Sequence, residues 1–223
     1  MPNPAVTREG EVFVVQMSDE ENRFNRSSLD GLNAALDQIE AVDGPKAMVV
    51  TGDGKFFSNG LDLDWLSTRE EDLVEFIIDV TSMWARILAA PYPTVAALNG
   101  HAFAGGAMFA LSFDQRVMRQ DRGFWCVNEV LLGMDLTPGM GALMQARLPA
   151  RTAHKAITTA HRFGGDEAMD YGIADAVASE DMVLKDAVSL AAGLTMTAGP
   201  PLAVLKRRFY APVLDLLNGI EDS

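Results

Sequence analysis

Short apolar runs rich in β-branched residues alternate along this chain with longer segments whose apolar residues recur every three to four positions. Residues 11–17, with Val12, Phe13, Val14 and Val15 in succession, have the composition of a strand. In residues 27–39 the apolar side chains Leu29, Leu32, Leu36 and Ile39 fall at i, i+3, i+7 and i+10. That spacing predicts an amphipathic helix, with a serine available as N-cap. Residues 46–51 read as a short buried strand, and residues 73–90 as a long helix stopped by Pro91 and Pro93. Residues 94–98 predict the next strand, residues 105–112 a helix start, and residues 115–118 a further strand.

Beyond Pro138 and Gly139 the pattern becomes mainly helical, with segments at 139–147, 152–160, 166–171, 182–196 and 200–217. Strand–helix units followed by a helical end imply an α/β core with an α tail. Gly199, Pro200 and Pro201 mark a turn between helices, and no internal repeat or low-complexity tract interrupts the chain.

Composition narrows the class. With 223 residues, 48% of them hydrophobic, the chain can bury one good core and is short for two full domains. It has no apolar run of membrane-spanning length, and Met1 to Pro4 lack the features of a secretory signal, so a soluble, cytoplasmic protein is expected. A single cysteine, Cys126, excludes an internal disulfide and reads as a small buried hydrophobe. The net charge of −13 argues against nucleic acid and anionic membranes as partners.

Candidate chemistry is concentrated in two glycine-bearing segments, residues 51–63 and 99–108. Each follows a strand-like run and releases backbone N–H groups, and together they can form an oxyanion hole. Further on, Glu129 is a lone carboxylate among Val127, Val130, Leu131 and Leu132. Partial desolvation there favours its protonated form and makes it a better base. This equipment suits enolate chemistry on a thioester.

These residues also carry a family resemblance. Phe57, Ser58, Gly60, Asp62 and Leu63 resemble the F-S-x-G-x-D-L turn of the crotonase (enoyl-CoA hydratase/isomerase) superfamily. Residues 93–100 followed by Ala104, Gly105 and Gly106 resemble its P-x-I-A-A-V-N-G…G-G turn, and residues 129–133 resemble its P-E-x-x-L-G loop. The likeness runs over residues 12–177, and three motifs in family order make it specific. It implies a crotonase-like spiral of ββα units with a C-terminal helical region: a core over residues 1–180 and a trimerisation region over 181–223, assembling as a homotrimer or a dimer of trimers.

The resemblance further implies an acyl-CoA substrate, no cofactor beyond that thioester, and no metal. By correspondence the N–H groups of Leu61 and Gly105 form the oxyanion hole and Glu129 is the base. Arg23, Phe24, Lys55, Ser58, Gly60, Asp62, Gly106 and Met108 are implied to contact the substrate, although Asp62 is better placed to cap the next helix or fix the loop than to do chemistry. For the CoA phosphates the basic candidates are Arg23, Arg26, Lys55 and Lys206 to Arg208. Acyl chain length would be set by how residues 66–80 fold over the site.

One departure decides between reactions. Hydratases of this superfamily use two glutamates to hold a water, and alignment places Met108 where the first belongs. A thioether cannot activate water. One base with an oxyanion hole is sufficient to move a proton between carbons, so a Δ3,Δ2-enoyl-CoA isomerase of the single-glutamate branch is expected. A 2-enoyl-CoA hydratase drawing on Asp135 and a non-catalytic acyl-CoA binder are the alternatives. A serine-hydrolase reading of Ser58, His101 and Asp62 lacks the G-x-S-x-G elbow. His154 and His161 have no third ligand in the pattern and do not make a metal site.

Overall fold

The structure is a computed structural model that describes residues 4–69 and 73–219. The chain opens with strands β1 (Ala5–Glu9) and β2 (Val12–Gln16), helix α1 (Arg26–Glu40), strands β3 (Ala47–Thr51) and β4 (Phe56–Ser58), and helices α2 (Leu63–Leu66) and α3 (Leu73–Leu88). Strands β5 (Thr94–Leu98) and β6 (His101–Phe103) lead into α4 (Gly105–Leu111), and β7 (Gln115–Arg119) and β8 (Trp125–Cys126) lead into α5 (Glu129–Leu132). The remainder comprises α6 (Pro138–Arg147), α7 (Ala150–Thr159), α8 (Gly165–Asp170), β9 (Ala176–Ala178), α9 (Val183–Ala192), α10 (Pro200–Phe209) and α11 (Ala211–Leu217).

Each of the pairs β3–β4, β5–β6 and β7–β8 divides its strands between two sheets before a helix follows. The larger sheet runs β1-β2-β3-β5-β7-β9 and the smaller β4-β6-β8, parallel throughout except for β1 against β2. This is the spiral of ββα units that the motifs implied. Central strands β3 and β5 are buried along their whole length, which explains their unbroken Val and Ala runs. Met48, Val50, Ala96 and Leu98 face the main core beneath α1, α3 and α4. Ala47, Val49, Val95 and Ala97 face a second core closed by Val183, Ala187 and Ala191 of α9.

Sequence periodicity did not reach several elements. Strand β1 is largely polar and exposed, and it forms only by pairing with β2 through a hairpin whose Gly10 has φ of +62°. Strands β4, β6 and β8 have three residues or fewer, too short to show a period of two. Asn25, rather than a serine, caps α1, while Ser28 returns a bond to the Asn25 N–H and completes a capping box. The single helix expected over 200–217 breaks at Tyr210, because Pro212 has no N–H for the carbonyl one turn back.

Residues 181–223, set apart in the sequence reading, pack tightly onto the rest of the chain up to the described Gly219. Helix α9 lies on the large sheet and α11 on α3 and α6. Lys206 of α10 reaches Asp114 at 2.7 Å, and Thr81 donates to the Leu217 carbonyl at 2.6 Å.

One of the tight junctions is between the smaller sheet and α4. A Cβ built on Gly106 would lie 2.2 Å from the Ser58 carbonyl oxygen, a backbone atom that cannot swing aside. Gly106→Ala is therefore expected to cost about 3 kcal/mol, at the upper end of ordinary overpacking, or to abolish folding. Chemical denaturation of the purified variant checks this; unchanged stability would mean that α4 does not seat against β4 as described.

Candidate active site

A cavity of about 330 Å³ opens where the C-terminal ends of β4, β6 and β8 meet the small helices that follow them. Leu61, Ala104, Gly105, Met108, Asn128 and Glu129 all line it.

Two backbone turns form its floor. Phe24 N–H donates to the Gly60 carbonyl at 2.7 Å and Asp62 N–H donates to the Phe24 carbonyl at 2.9 Å, a parallel bridge that skips Leu61. In such a bridge the skipped residue's own N–H points the other way, here away from Phe24. The second turn is Ala104, with φ of 50° and ψ of −127°, a conformation that glycine adopts readily and alanine rarely. Its N–H is held by the Cys126 carbonyl at 2.9 Å, and its carbonyl accepts from Ala107 at 2.9 Å. Gly105 follows as the first residue of α4, where an N–H has no intrahelical acceptor. The two turns touch: a Cβ on Gly60, whose φ is +78°, would stand 2.9 Å from the Gly105 nitrogen. Two backbone donors are thus presented at one place, an arrangement that can hold an oxygen as it becomes negative.

Glu129 is the first residue of α5 and is 6% exposed. The loop is closed by Gly133 at φ of 66°, whose N–H returns to the Glu129 carbonyl. Its Oε2 is buried without a hydrogen-bond partner. Burial raises its pKa above the ordinary 4.5, with the backbone N–H groups of Glu129 and Asn128 pulling partly in the opposite direction. Met108, one turn into α4, is buried and lines the same cavity, on the same face as Gly105.

The other expected contacts divide. Arg23 sits on the cavity wall with its guanidinium held by Glu21 at 2.7 Å and Asp64 at 3.3 Å. Phe24 is not on that wall: its ring packs edge-on against Trp84 and Phe109 in the core. Ser58 is fully buried and donates to the Asn22 carbonyl at 2.8 Å. Gly60 and Gly106 act through backbone closeness, and Asp62 caps α2 by accepting from Trp65 N–H at 3.1 Å. Lys55 lies over the Phe56 ring beside a separate hollow shared with Arg119 and Arg122. Arg26 is paired with Asp79 at 2.7 Å, and Lys206 is buried against Asp114.

Ser58, His101 and Asp62 do not converge, since His101 Nδ1 accepts from the Phe124 N–H instead. His161 pairs with Glu167 at 2.7 Å, while His154 is exposed. The Cys126 thiol, which donates to the Ala160 carbonyl, is pushed by burial to a pKa of about 11 and is not a nucleophile at neutral pH. Of residues 66–80, Ile77 reaches the cavity; residues 70–72 lie outside the described residues. Asp135 also lines it, as expected of a minor candidate. Asn59, Asn128, Thr137 and Met140 were missed as site residues. Asn59 lies within the glycine-bearing segment 51–63, Asn128 directly precedes Glu129, and Thr137 carried a signal as an N-cap before Pro138.

The raised Glu129 pKa has a measurable consequence. A carboxyl group whose pKa is higher folded than unfolded holds its proton longer in the native state, so its contribution falls as pH rises from about 4.5 through the folded value. Glu129→Gln removes that penalty. The variant is expected to match the wild type in melting temperature near pH 4 and to exceed it at neutral pH, a gap that calorimetry across this range measures. A gap of the opposite sign would show that the carboxylate is stabilised, not strained, by its surroundings.

Comparison with known proteins places the chain in a family. Residues 7–219 match the family model described as enoyl-CoA hydratase/isomerase. Among curated relatives, enoyl-CoA delta isomerase 3 of Arabidopsis thaliana is 32% identical over 95% of this chain and 93% of its own. A putative enoyl-CoA hydratase of Thermus thermophilus is 31% identical over 94% of this chain and 85% of its own. Among solved structures, an apo enoyl-CoA isomerase of Mycobacterium tuberculosis superposes with a TM-score of 0.90 at 29% identity, covering 98% of this chain and 96% of the other. With its fold, its touching glycine turns and its buried glutamate in the family's order, the chain belongs to the enoyl-CoA hydratase/isomerase family.

Proposed function

We propose that this enzyme shifts the double bond of a 3-enoyl-CoA to the 2-position by a proton shuttle on Glu129. The observation that supports the reading is that Glu129, with its Oε2 buried and unpaired, lines one cavity with Met108, the residue that stands where the resemblance would put a second glutamate. Glu129 takes a proton from C2, and the thioester oxygen becomes an enolate oxygen held by the N–H groups of Leu61 and Gly105. Each such donor contributes about 2.7–4 kcal/mol to a transition state of this type, judged from mutagenesis of another enzyme. The conjugated dienolate then receives the same proton at C4, which leaves the double bond between C2 and C3. A raised pKa suits both halves, because the base must also be a willing acid.

Of the other carboxylates on the wall, Asp64 is highly exposed and paired with Arg23, and Asp135 accepts from the Leu136 N–H at 2.8 Å. Asp135 is the residue that a hydratase reading would recruit. As part of the same proposal the family's trimer, or dimer of trimers, would cover Leu205 and Phe209, which lie one turn apart on α10 and are 66% and 78% exposed.

The purified protein is expected to convert 3-enoyl-CoA to 2-enoyl-CoA much faster than it hydrates 2-enoyl-CoA, as followed by chromatography of the thioesters. Glu129→Gln should lower kcat by about 100-fold or more while acyl-CoA still binds, since the amide keeps the shape but accepts no proton. Retention of more than about a tenth of wild-type kcat, less than general acid–base catalysis ordinarily supplies, would place the base elsewhere.

Met108→Glu tests the departure from the two-glutamate arrangement. It sets a second carboxylate in the cavity with Glu129, where the two can hold one water, and hydration of 2-enoyl-CoA should rise above the wild-type rate. The gain will be partial because two close carboxylates raise the pKa of at least one. A folded variant that binds CoA thioesters without added hydration would remove Met108 from the reaction's control.

A further inference from the structure

A side chain of α3 meets both backbone turns from behind the cavity. Trp84 is fully buried and is not among the residues that line the wall. A Cβ built on Gly105 would stand 3.7 Å from Cζ2 and Cη2 of its indole, so the benzo edge of the ring closes the space beside the first residue of α4. The same ring packs edge-on against Phe24, with centroids 6.2 Å apart. Phe24 is the residue whose main chain brackets Leu61, through its N–H to the Gly60 carbonyl and its carbonyl from the Asp62 N–H. Trp84 thus abuts the residue that supplies one proposed donor and the residue that supports the other.

Tryptophan is a costly residue at this place. Its Nε1 is buried with no hydrogen-bond partner among the described residues, and a buried donor left unpaired destabilises the fold. A buried indole ordinarily pairs that N–H, so an apolar side chain of similar size would serve packing better. What the indole adds to a phenyl ring is reach. Next to Gly105, Ala104 is held in a conformation that alanine rarely adopts, and such backbone persists only where its surroundings over-determine it. A gap beside Gly105 would let the turn relax. We infer that Trp84 is a positioning residue: by packing against both Phe24 and Gly105, its ring fixes the relative placement of the Leu61 and Gly105 N–H groups. This rests on the assignment of those two donors in the reading above and adds the side chain that keeps them in register.

The test compares the wild type with Trp84→Phe, which keeps an aromatic ring but loses the edge beside Gly105, and with Ile87→Val, which trims another buried residue of α3. Turnover of 3-enoyl-CoA is one readout. The other is the infrared carbonyl stretch of a bound saturated acyl-CoA, isotopically labelled at the thioester carbonyl carbon, since donors that hold the oxygen weaken the C=O bond and lower its frequency. Trp84→Phe is expected to lower kcat by about tenfold or more, a modest share of what an ångström of misplacement can cost. KM should change by less than about threefold, as for an interaction realised in the transition state. The carbonyl stretch should return part of the way to its value in water, and Ile87→Val should leave both readouts near the wild type. Trp84→Met, which is flexible and has no rigid edge, serves if the phenylalanine variant does not fold.

A Trp84 variant whose bound carbonyl absorbs as in the wild type would overturn the inference, whatever its kcat, and so would an Ile87→Val enzyme impaired to the same extent. A wild type that lowers the carbonyl stretch on binding but does not isomerise 3-enoyl-CoA would refute the isomerase reading alone. One that isomerises while the stretch is unmoved by the Trp84 substitution would refute this inference alone. A wild-type complex whose carbonyl absorbs as in water would overturn the donor assignment on which both stand.

Discussion

The close approach of two backbone turns, Gly60 after β4 and Gly105 at the head of α4, sets the geometry around which the cavity is arranged. Each turn is anchored from behind: the first by the Phe24 bridge and the Asp62 cap, the second by the bond from Ala104 to the Cys126 carbonyl. The unusual conformation of Ala104 persists because these anchors hold it. Gly106 allows α4 to descend onto β4, and that descent brings Gly105 and Met108 to the cavity wall. Replacing any one of these contacts would move a donor, and a donor misplaced by an ångström loses much of its effect.

The cavity wall, with Arg23 beside Asp64, Glu129 and Asp135, does not reverse the sign of the whole chain. A net charge of −13 disfavours an anionic thioester at long range, so recognition must rest on short-range groups within a Debye length of about 8 Å. Three of the six cations expected for this task are otherwise engaged. Arg23 is shared by two carboxylates, Arg26 by Asp79, and Lys206 is buried in a network with Asp114 and the Tyr92 carbonyl. The proposed reading therefore leans on the uncharged backbone donors at the two turns, which cost no ion-pair partner and are already oriented.

Glu129 is placed by the third spiral unit, whose β8 strand pairs with β6 and ends beside the second turn. Burial is what raises its pKa, and a raised pKa suits the proton shuttle proposed for it. The wall around it is mixed: Leu61, Ile77, Met108 and Met140 are apolar, while Asn128 and Thr137 are not.

Much of this was legible in one dimension. Periodicity located β2, α1, β3, α3, β5, α4 and β7 within a few residues, since each buries a continuous face and burial imposes its own spacing. The glycine motifs and Glu129 marked residues that line the cavity, because tight backbone turns and a lone carboxylate in an apolar run leave a mark on residue type. What had no local mark came only from tertiary structure. Strands β4, β6 and β8 exist because neighbouring units stack, and β1 because it pairs with β2. Phe24 and Ser58 carry the look of site residues yet serve the core, Lys55 faces another hollow, and Thr137 reaches the cavity from a loop outside the three motifs. The order of residue types determined which elements form and which chemistry is available. Which side chains meet depends on distances between segments far apart in the chain, and only the packed fold sets those.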